Sequence, residues 1–246
     1  MALQLIQTGD GSSSLYHSAL DETYHSRHGA IAESKHVFIQ NGLNHWLGQR
    51  PRQQDQGANR QDNPEALSIL EMGFGTGLNA LLTLMYRQEL MQQKQSLNSG
   101  HGVPKIQYQS LEAFPLEPKI YESLDYARQL GCDADTFLAL HRAPWEQAVA
   151  LDSGFKLLKK AMRFEDFNAP PSFDLVYYDA FGARVQPELW EIERFSRLYQ
   201  ALNPGGVFVT YAAKGSVRRA LQEVGFTVER LEGPPGKREM LRGTKI

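Results

Sequence analysis

The sequence predicts an α/β fold: a mainly parallel seven-stranded sheet with helices on both faces, preceded by an N-terminal extension. Short apolar and β-branched runs alternate along the chain with segments whose leucines and methionines recur at helical spacing, which is the order of a sheet built from strand-helix-strand units. Gly- and Pro-rich turns separate the segments. The composition agrees, since 246 residues with 41% hydrophobic and 22% charged side chains make an ordinary globular chain. A chain of that length buries roughly three quarters of its unfolded surface without a staple, so the lone Cys132 implies no intramolecular disulfide and fits a reducing compartment.

In chain order, Leu67 to Met72 reads as the first strong strand and Leu78 to Met91 as the helix after it. Ile106 to Leu111 is a second strand, followed by a helix from about Lys119 to Leu130. A helix near Asp133 to Leu140 and extended chain within Phe155 to Phe164 come next. Phe173 to Tyr178 is a strand by its aromatic and β-branched content. Pro187 suits the first turn of a helix running to Leu202, which Asn203-Pro204-Gly205-Gly206 stops before a strand from Val207 to Tyr211. Ser216 to Val224 is a helix ended by Gly225, and Phe226 to Leu231 and Glu239 to Gly243 are the closing strands. Two polar stretches, Gln49 to Asn63 and Gln92 to Pro104, read as peripheral loops. The expected division is 1–64, an extension packing on the ligand site, and 65–246, the α/β unit. The N-terminus has no basic segment leading into an apolar core, and no run is long enough to span a membrane, so the expected location is the cytoplasm.

Ligands of such sheets bind beyond the carboxyl ends of the strands. There the chain places Glu71-Met72-Gly73-Phe74-Gly75-Thr76-Gly77. A dinucleotide fingerprint needs a glycine at 78, which is Leu78, and no Lys-Ser or Lys-Thr follows as a P-loop requires. The run instead resembles motif I of Rossmann-like class I S-adenosyl-L-methionine (SAM) methyltransferases. The resemblance implies that Gly73, Gly75 and Gly77 pass under the amino-acid part of SAM, with Glu71 near its cationic end. Glu112, after the second strand, suits the ribose hydroxyls, or is a solvated turn glutamate. Asp166 suits the adenine amino group with Phe167 beside the ring, or belongs to a surface acidic turn.

Asp179 closes the strand expected beside the glycine-loop strand. A carboxylate there suits an amine nucleophile, which must shed a proton to attack and becomes cationic as the bond forms. The other reading of Asp179 is a turn cap before Pro187. The segment Tyr24 to Ser34 is dense in hydrogen-bonding groups and reads as a lid or cofactor flank. His25 and His28 lack the further ligands a metal site needs, so no metal is expected.

The runs Tyr24 to Glu33, Glu71 to Asn79, Leu111 to Pro115, Asp179-Ala180-Phe181, Pro187 to Trp190, Pro204-Gly205-Gly206, Val217 to Phe226 and Gly236 to Leu241 together resemble the methyltransferase module of the MnmC/MnmD family of tRNA wobble-uridine modification enzymes. The resemblance implies SAM as cofactor and N-methylation of 5-aminomethyl(-2-thio)uridine in the tRNA anticodon loop, on a precursor supplied by a separate enzyme. It implies Tyr24, Ser26, Glu33, Thr76, Asn79 and Phe114 as further cofactor contacts and Phe181 beside Asp179 at the reaction centre. Where the family commonly reads Asp-Gly-Phe-Ala-Pro, this chain has Ala180 for the glycine and Gly182-Ala183 for Ala-Pro, so the substrate-side loop differs in shape. With the sequence ending at Ile246, the expectation is the methyltransferase module without an FAD-dependent oxidase domain.

The formal charge of −2 argues against a nucleic-acid partner on average. The average conceals an asymmetry. From Lys214 to Ile246 there are eight basic residues against four acidic, and Lys214, Arg218, Arg219, Lys237 and Arg238, with Arg184, are the expected RNA contacts. The alternatives are a methyltransferase or aminopropyltransferase of a small-molecule amine, and a non-catalytic RNA-binding module of the same fold.

Overall fold

The structure is a computed structural model that describes residues 3–49, 66–97 and 102–246. The polar stretch Gln49 to Asn63 and the expected boundary at 64/65 fall almost wholly outside them. The strands are β1 (Leu3–Gln7), β2 (Ser13–His17), β3 (Glu22–Thr23), β4 (Ala66–Met72), β5 (Lys105–Glu112), β6 (Ala148–Asp152), β7 (Phe155–Ala161), β8 (Phe173–Tyr178), β9 (Leu202–Thr210), β10 (Thr227–Glu232) and β11 (Glu239–Thr244). The α-helices are α1 (Ala30–Ser34), α2 (His45–Gln49), α3 (Leu78–Leu97), α4 (Pro118–Tyr121), α5 (Tyr126–Leu130), α6 (Ala134–Arg142), α7 (Ile192–Ala201) and α8 (Gly215–Glu223). A π-helical stretch, Lys35–Asn44, joins α1 to α2.

The main sheet has eight strands in the order β10-β11-β9-β8-β4-β5-β7-β6. The five central strands are parallel, while at the two edges β6 pairs antiparallel with β7, β11 with β9, and β10 with β11. The count exceeds the expected seven because Ala148–Asp152 turns back on β7 as a hairpin. The chain winds outward from β4 through β5 to β7, then returns on the other side of β4 with β8. That reversal is a topological switch point, and the glycine loop and Asp179 both emerge at it.

Residues alternate between the faces of β4. Leu67 and Ile69 join one core cluster with α3 and the N-terminal helical segment; Leu70 and Met72 join the other with α7 and α8. The N-terminal residues form a separate sheet, β1-β2-β3. The Asp125 carboxylate ties it down, accepting from Ser13 N at 3.0 Å and Ser13 Oγ at 2.6 Å.

Several boundaries differ from expectation. Helix α3 continues to Leu97 because Gln92 to Ser96 are tolerant of helix and no Gly or Pro intervenes. The helix expected from Pro187 is a 3-10 turn, Pro187–Trp190, and then α7, with Glu191 extended between them. The helix expected over Lys119 to Leu130 is split into α4 and α5. Strand β9 already begins at Leu202, so Asn203 to Gly206 lie inside it. Helix α6 starts where expected, with the Asp133 side chain capping Asp135 N. Among the described residues no helix is long and apolar enough to cross a membrane.

Candidate active site

A cleft of about 1170 Å³ opens at the carboxyl ends of β4, β5 and β8. Its floor is the glycine loop. Gly73 adopts φ +101°, and a Cβ there would sit 3.0 Å from the Asp179 carbonyl oxygen. Gly75 adopts φ +48°, and a Cβ there would sit 3.2 Å from the Tyr24 ring. Glycine is therefore the residue that lets this backbone lie open to a ligand between two walls.

The loop is pinned from below and behind. Glu112 accepts from Gly75 N and from Phe114 N, each at 2.8 Å, so one carboxyl spans the ends of two strands at the cleft wall. Burial raises its pKa against these backbone donors. The Thr76 hydroxyl meets His25 Nε2 at 2.7 Å, and the Thr76 carbonyl accepts from His141 Nε2 at 3.0 Å. A carbonyl only accepts, so Nε2 of His141 carries the proton. Burial holds both imidazoles neutral, with pKa values of about 4. Behind His141, the Lys159 ammonium donates to the His141 carbonyl at 2.6 Å and lies 5.0 Å and 4.6 Å from the Phe74 and Trp145 ring centroids.

The second wall is the segment after β8. Asp179 N donates to Met72 O at 3.1 Å, and Asp179 Oδ2 accepts from Asn79 Nδ2 at 2.8 Å. Burial, then repulsion from Glu33, raises the Asp179 carboxyl to about 7, against the pull of Asn79 and Lys237. Phe181 meets Tyr24 edge to face at 5.0 Å. Three hydrogen bonds hold the following loop: Tyr211 Oη to Ala180 O at 2.8 Å, Trp190 Nε1 to Phe181 O at 2.8 Å, and the Tyr178 hydroxyl to Leu189 O. Beside it, the Lys237 ammonium pairs with Glu33 and sits 3.7 Å from the Tyr211 ring centroid.

Of the residues the sequence singled out, Tyr24, Ser26, Glu33, Gly73, Gly75, Thr76, Asn79, Glu112, Phe114, Asp179 and Phe181 line this one cleft. Three do not. Glu71 is fully buried beneath the loop, because its position in β4 turns the side chain into the core. Phe167 packs into the second core cluster and Asp166 is exposed outside the cleft; it is Phe164, one 3-10 turn earlier, whose ring faces it. Gly77 lies beneath, against His141.

The expected RNA contacts also divide. Lys237 is held inside the cleft, and Arg184 is tied to Asp21 O at 2.8 Å and Glu22 Oε2 at 3.2 Å. Lys214, Arg218, Arg219 and Arg238 have no ion-pair partner among the described residues. Helix α8 starts just beyond the carboxyl end of β9, and the 233–238 turn precedes β11, which runs antiparallel to β9. These cations therefore share the edge that carries the cleft. His25, His141 and Lys159 were not legible as site residues, since their partners lie far away in sequence. Among the described residues no group of three or more His, Cys, Asp or Glu side chains is arranged to hold a metal ion.

The cradle fits SAM: an open glycine backbone, a carboxyl at the end of the adjacent strand, and a wall rich in carboxylates facing a cationic ligand. The fold is Rossmann-like, of the kind seen in SAM-dependent methyltransferases. A family model described as S-adenosyl-L-methionine-dependent methyltransferase matches residues 142–246. The tRNA 5-methylaminomethyl-2-thiouridine biosynthesis bifunctional protein MnmC of Pseudoalteromonas atlantica is 30% identical over 234 residues, 91% of this chain and 31% of that protein. The protein of the same name from Idiomarina loihiensis is 29% identical over 240 residues, 92% of this chain and 36% of that protein. The chain thus spans about a third of the length of the curated relatives it matches. The crystal structure of MNMC2 from Aquifex aeolicus shares the fold, with a TM-score of 0.70 at 23% identity over 98% of this chain and 70% of that one. Over residues 142–246 the chain matches the SAM-dependent methyltransferase model, and over 91% of its length it is similar to part of an MnmC protein.

Proposed function

We propose that the chain N-methylates 5-aminomethyl(-2-thio)uridine at the tRNA wobble position, giving the 5-methylaminomethyl form, in the cytoplasm and on a precursor made by another enzyme. The observation that carries this reading is Asp179, a carboxyl in the cleft wall whose pKa burial lifts to about 7. A base so tuned accepts a proton from a substrate ammonium near neutral pH, which an ordinary aspartate does poorly.

Bound SAM supplies an electrophilic sulfonium methyl group. Asn79 occupies Oδ2 of Asp179 and leaves Oδ1 for the substrate amine. Asp179 takes one ammonium proton; the freed nitrogen lone pair forms the new N–C bond, and the C–S bonding pair stays on sulfur. The product nitrogen is cationic as it forms, and the Glu33 carboxylate beside the now protonated Asp179 favours that charge. Glu112 is the group proposed for the ribose hydroxyls, Phe114 and Phe164 for the adenine, and Tyr24, Ser26 and Thr76 for the flank of the cofactor. Lys214, Arg218, Arg219 and Arg238 are proposed to meet phosphates.

The test is incubation with methyl-labelled SAM and tRNA carrying the 5-aminomethyl wobble base, followed by nucleoside analysis across a salt series. Label in the wobble nucleoside, at a rate falling steeply with salt, is the expected result. Label appearing only on small-molecule amines, with a flat salt response, would refute the RNA substrate.

A further inference from the structure

Strands β2 and β3 meet at the edge of the cleft in antiparallel register, with His17 directly opposite Glu22. Residues opposite one another share a face of the sheet, so the two side chains stand next to each other, and both line the cleft. The backbone N–H of Leu20 donates to His17 Nδ1 at 3.2 Å, which puts the ring proton on Nε2 and makes that nitrogen a donor. Glu22 is an acceptor. Its two oxygens take one long bond each, from Thr23 N at 3.3 Å and from Arg184 at 3.2 Å, and keep lone pairs to spare. The end of the hairpin thus presents a donor and an acceptor side by side.

This pair is fastened to the wall that carries Asp179. Arg184 also donates to Asp21 O at 2.8 Å, so the loop after β8 holds the hairpin at two points. The His17 ring meets Phe181 edge-on, with centroids 6.2 Å apart. Gly182 lies between Glu22 and Tyr211: a Cβ there would be 3.9 Å from Glu22 Oε2 and 3.8 Å from Tyr211 Oη. The Tyr211 hydroxyl feels Asp179, Glu33 and Glu22 together, so the three carboxyls surround one end of the cleft. Glu33 is paired with Lys237 and Glu22 with Arg184, while Asp179 has no ion pair among the described residues. A cationic amine is therefore drawn to Asp179, and a neutral N–H suits Glu22.

A uracil that directs its C5 substituent at Asp179 presents O4 and N3–H along the adjoining edge. O4 accepts and N3–H donates, the complement of His17 Nε2 and Glu22. Cytosine reverses both, with an amino donor at C4 and an unprotonated N3. Donor would then face donor, and acceptor would face acceptor.

We infer that His17 and Glu22 are the specificity-determining pair of the acceptor site, reading O4 and N3–H of a uracil base and rejecting cytosine. The inference rests on the proposed wobble-uridine reading: Asp179 takes the amine, and the β2–β3 hairpin selects the base that carries it. The Phe181 ring, between His17 and Tyr24, gives that base an apolar surface to lie against.

The test compares methyl transfer to two anticodon stem-loops, one with 5-aminomethyluridine and one with 5-aminomethylcytidine at the wobble position. Wild type is expected to favour the uridine in kcat/KM. Glu22→Gln keeps an acceptor for Arg184 and adds a donor that cytosine N3 can accept. Its preference for uridine is expected to shrink by roughly 5- to 150-fold, the range of one good base contact, with SAM affinity unchanged. His17→Phe keeps a ring against Phe181 and removes the donor, so the KM for the uridine substrate rises while SAM still binds. Equal rates on the two bases in wild type, a preference left unchanged by both variants, or SAM affinity lost along with selectivity would each overturn the inference. If wild type methylates neither stem-loop, the functional reading fails on its own. Calorimetry with the two modified nucleosides in the presence of S-adenosylhomocysteine still decides the pocket: tighter binding of the uridine supports it, and equal affinity overturns it.

Discussion

Gly75 joins backbone geometry to cofactor affinity, because its amide holds Glu112 while its φ of +48° and the Tyr24 ring 3.2 Å from a Cβ exclude a side chain. A left-handed backbone costs a non-glycine residue about 1–2 kcal/mol, or roughly 5- to 30-fold in an equilibrium. Gly75→Ala is expected to weaken SAM binding by about that factor, read by calorimetry, with further loss from displacing Tyr24. The place of Gly73, Gly75, Glu112 and Asp179 at the cleft was legible in the sequence because it follows from local position, at the end of a strand in a known order. Glu71 was misread for a reason equally local: it is still inside β4, where the period of two turns it toward the core. The braces on Thr76 were not legible, since His25 is 51 residues away from it and His141 is 65.

At the scale of elements, the segment from Asp179 to Trp190 is the part of the cleft without regular structure of its own until the 3-10 turn. Its shape comes from donors outside the residues they hold, among them Trp190 Nε1 on the Phe181 carbonyl at 2.8 Å. Trp190→Phe keeps an aromatic ring and removes that donor. One such bond contributes about 0.5–1.5 kcal/mol, so the acceptor substrate's KM is expected to rise severalfold in steady-state kinetics with SAM affinity unchanged. The sequence made the helical character of this region legible through Pro187 but not the break at Glu191. That break follows from tertiary packing, which buries Leu189 and Trp190 against the second core cluster. The β6–β7 hairpin has a turn signal in Asp152-Ser153-Gly154, but the alanines and aspartate of Ala148–Asp152 are poor strand formers, so this short edge strand read as loop.

For the whole molecule, the order of strands and helices made both the parallel sheet and its switch point legible, and the site follows from that topology. The charge asymmetry was legible as a count and needed the structure to be apportioned. Of the eight cations from Lys214 onward, Arg230 and Arg242 pair with glutamates and the Lys245 ammonium donates to the carbonyls of Tyr199 and Leu202, while Lys237 turns into the cleft. The remainder, at the edge bearing the cleft, is what an RNA substrate would meet. In this account one end of the sheet does two jobs: the glycine loop holds the cofactor, and Asp179 handles the acceptor. Parallel measurement of SAM affinity and single-turnover methyl transfer in Asp179→Ala tests that division most directly. The account expects SAM affinity near that of the wild type and a transfer rate lower by about 10²–10⁴-fold. Equal loss of binding and transfer, or transfer left intact, would contradict it.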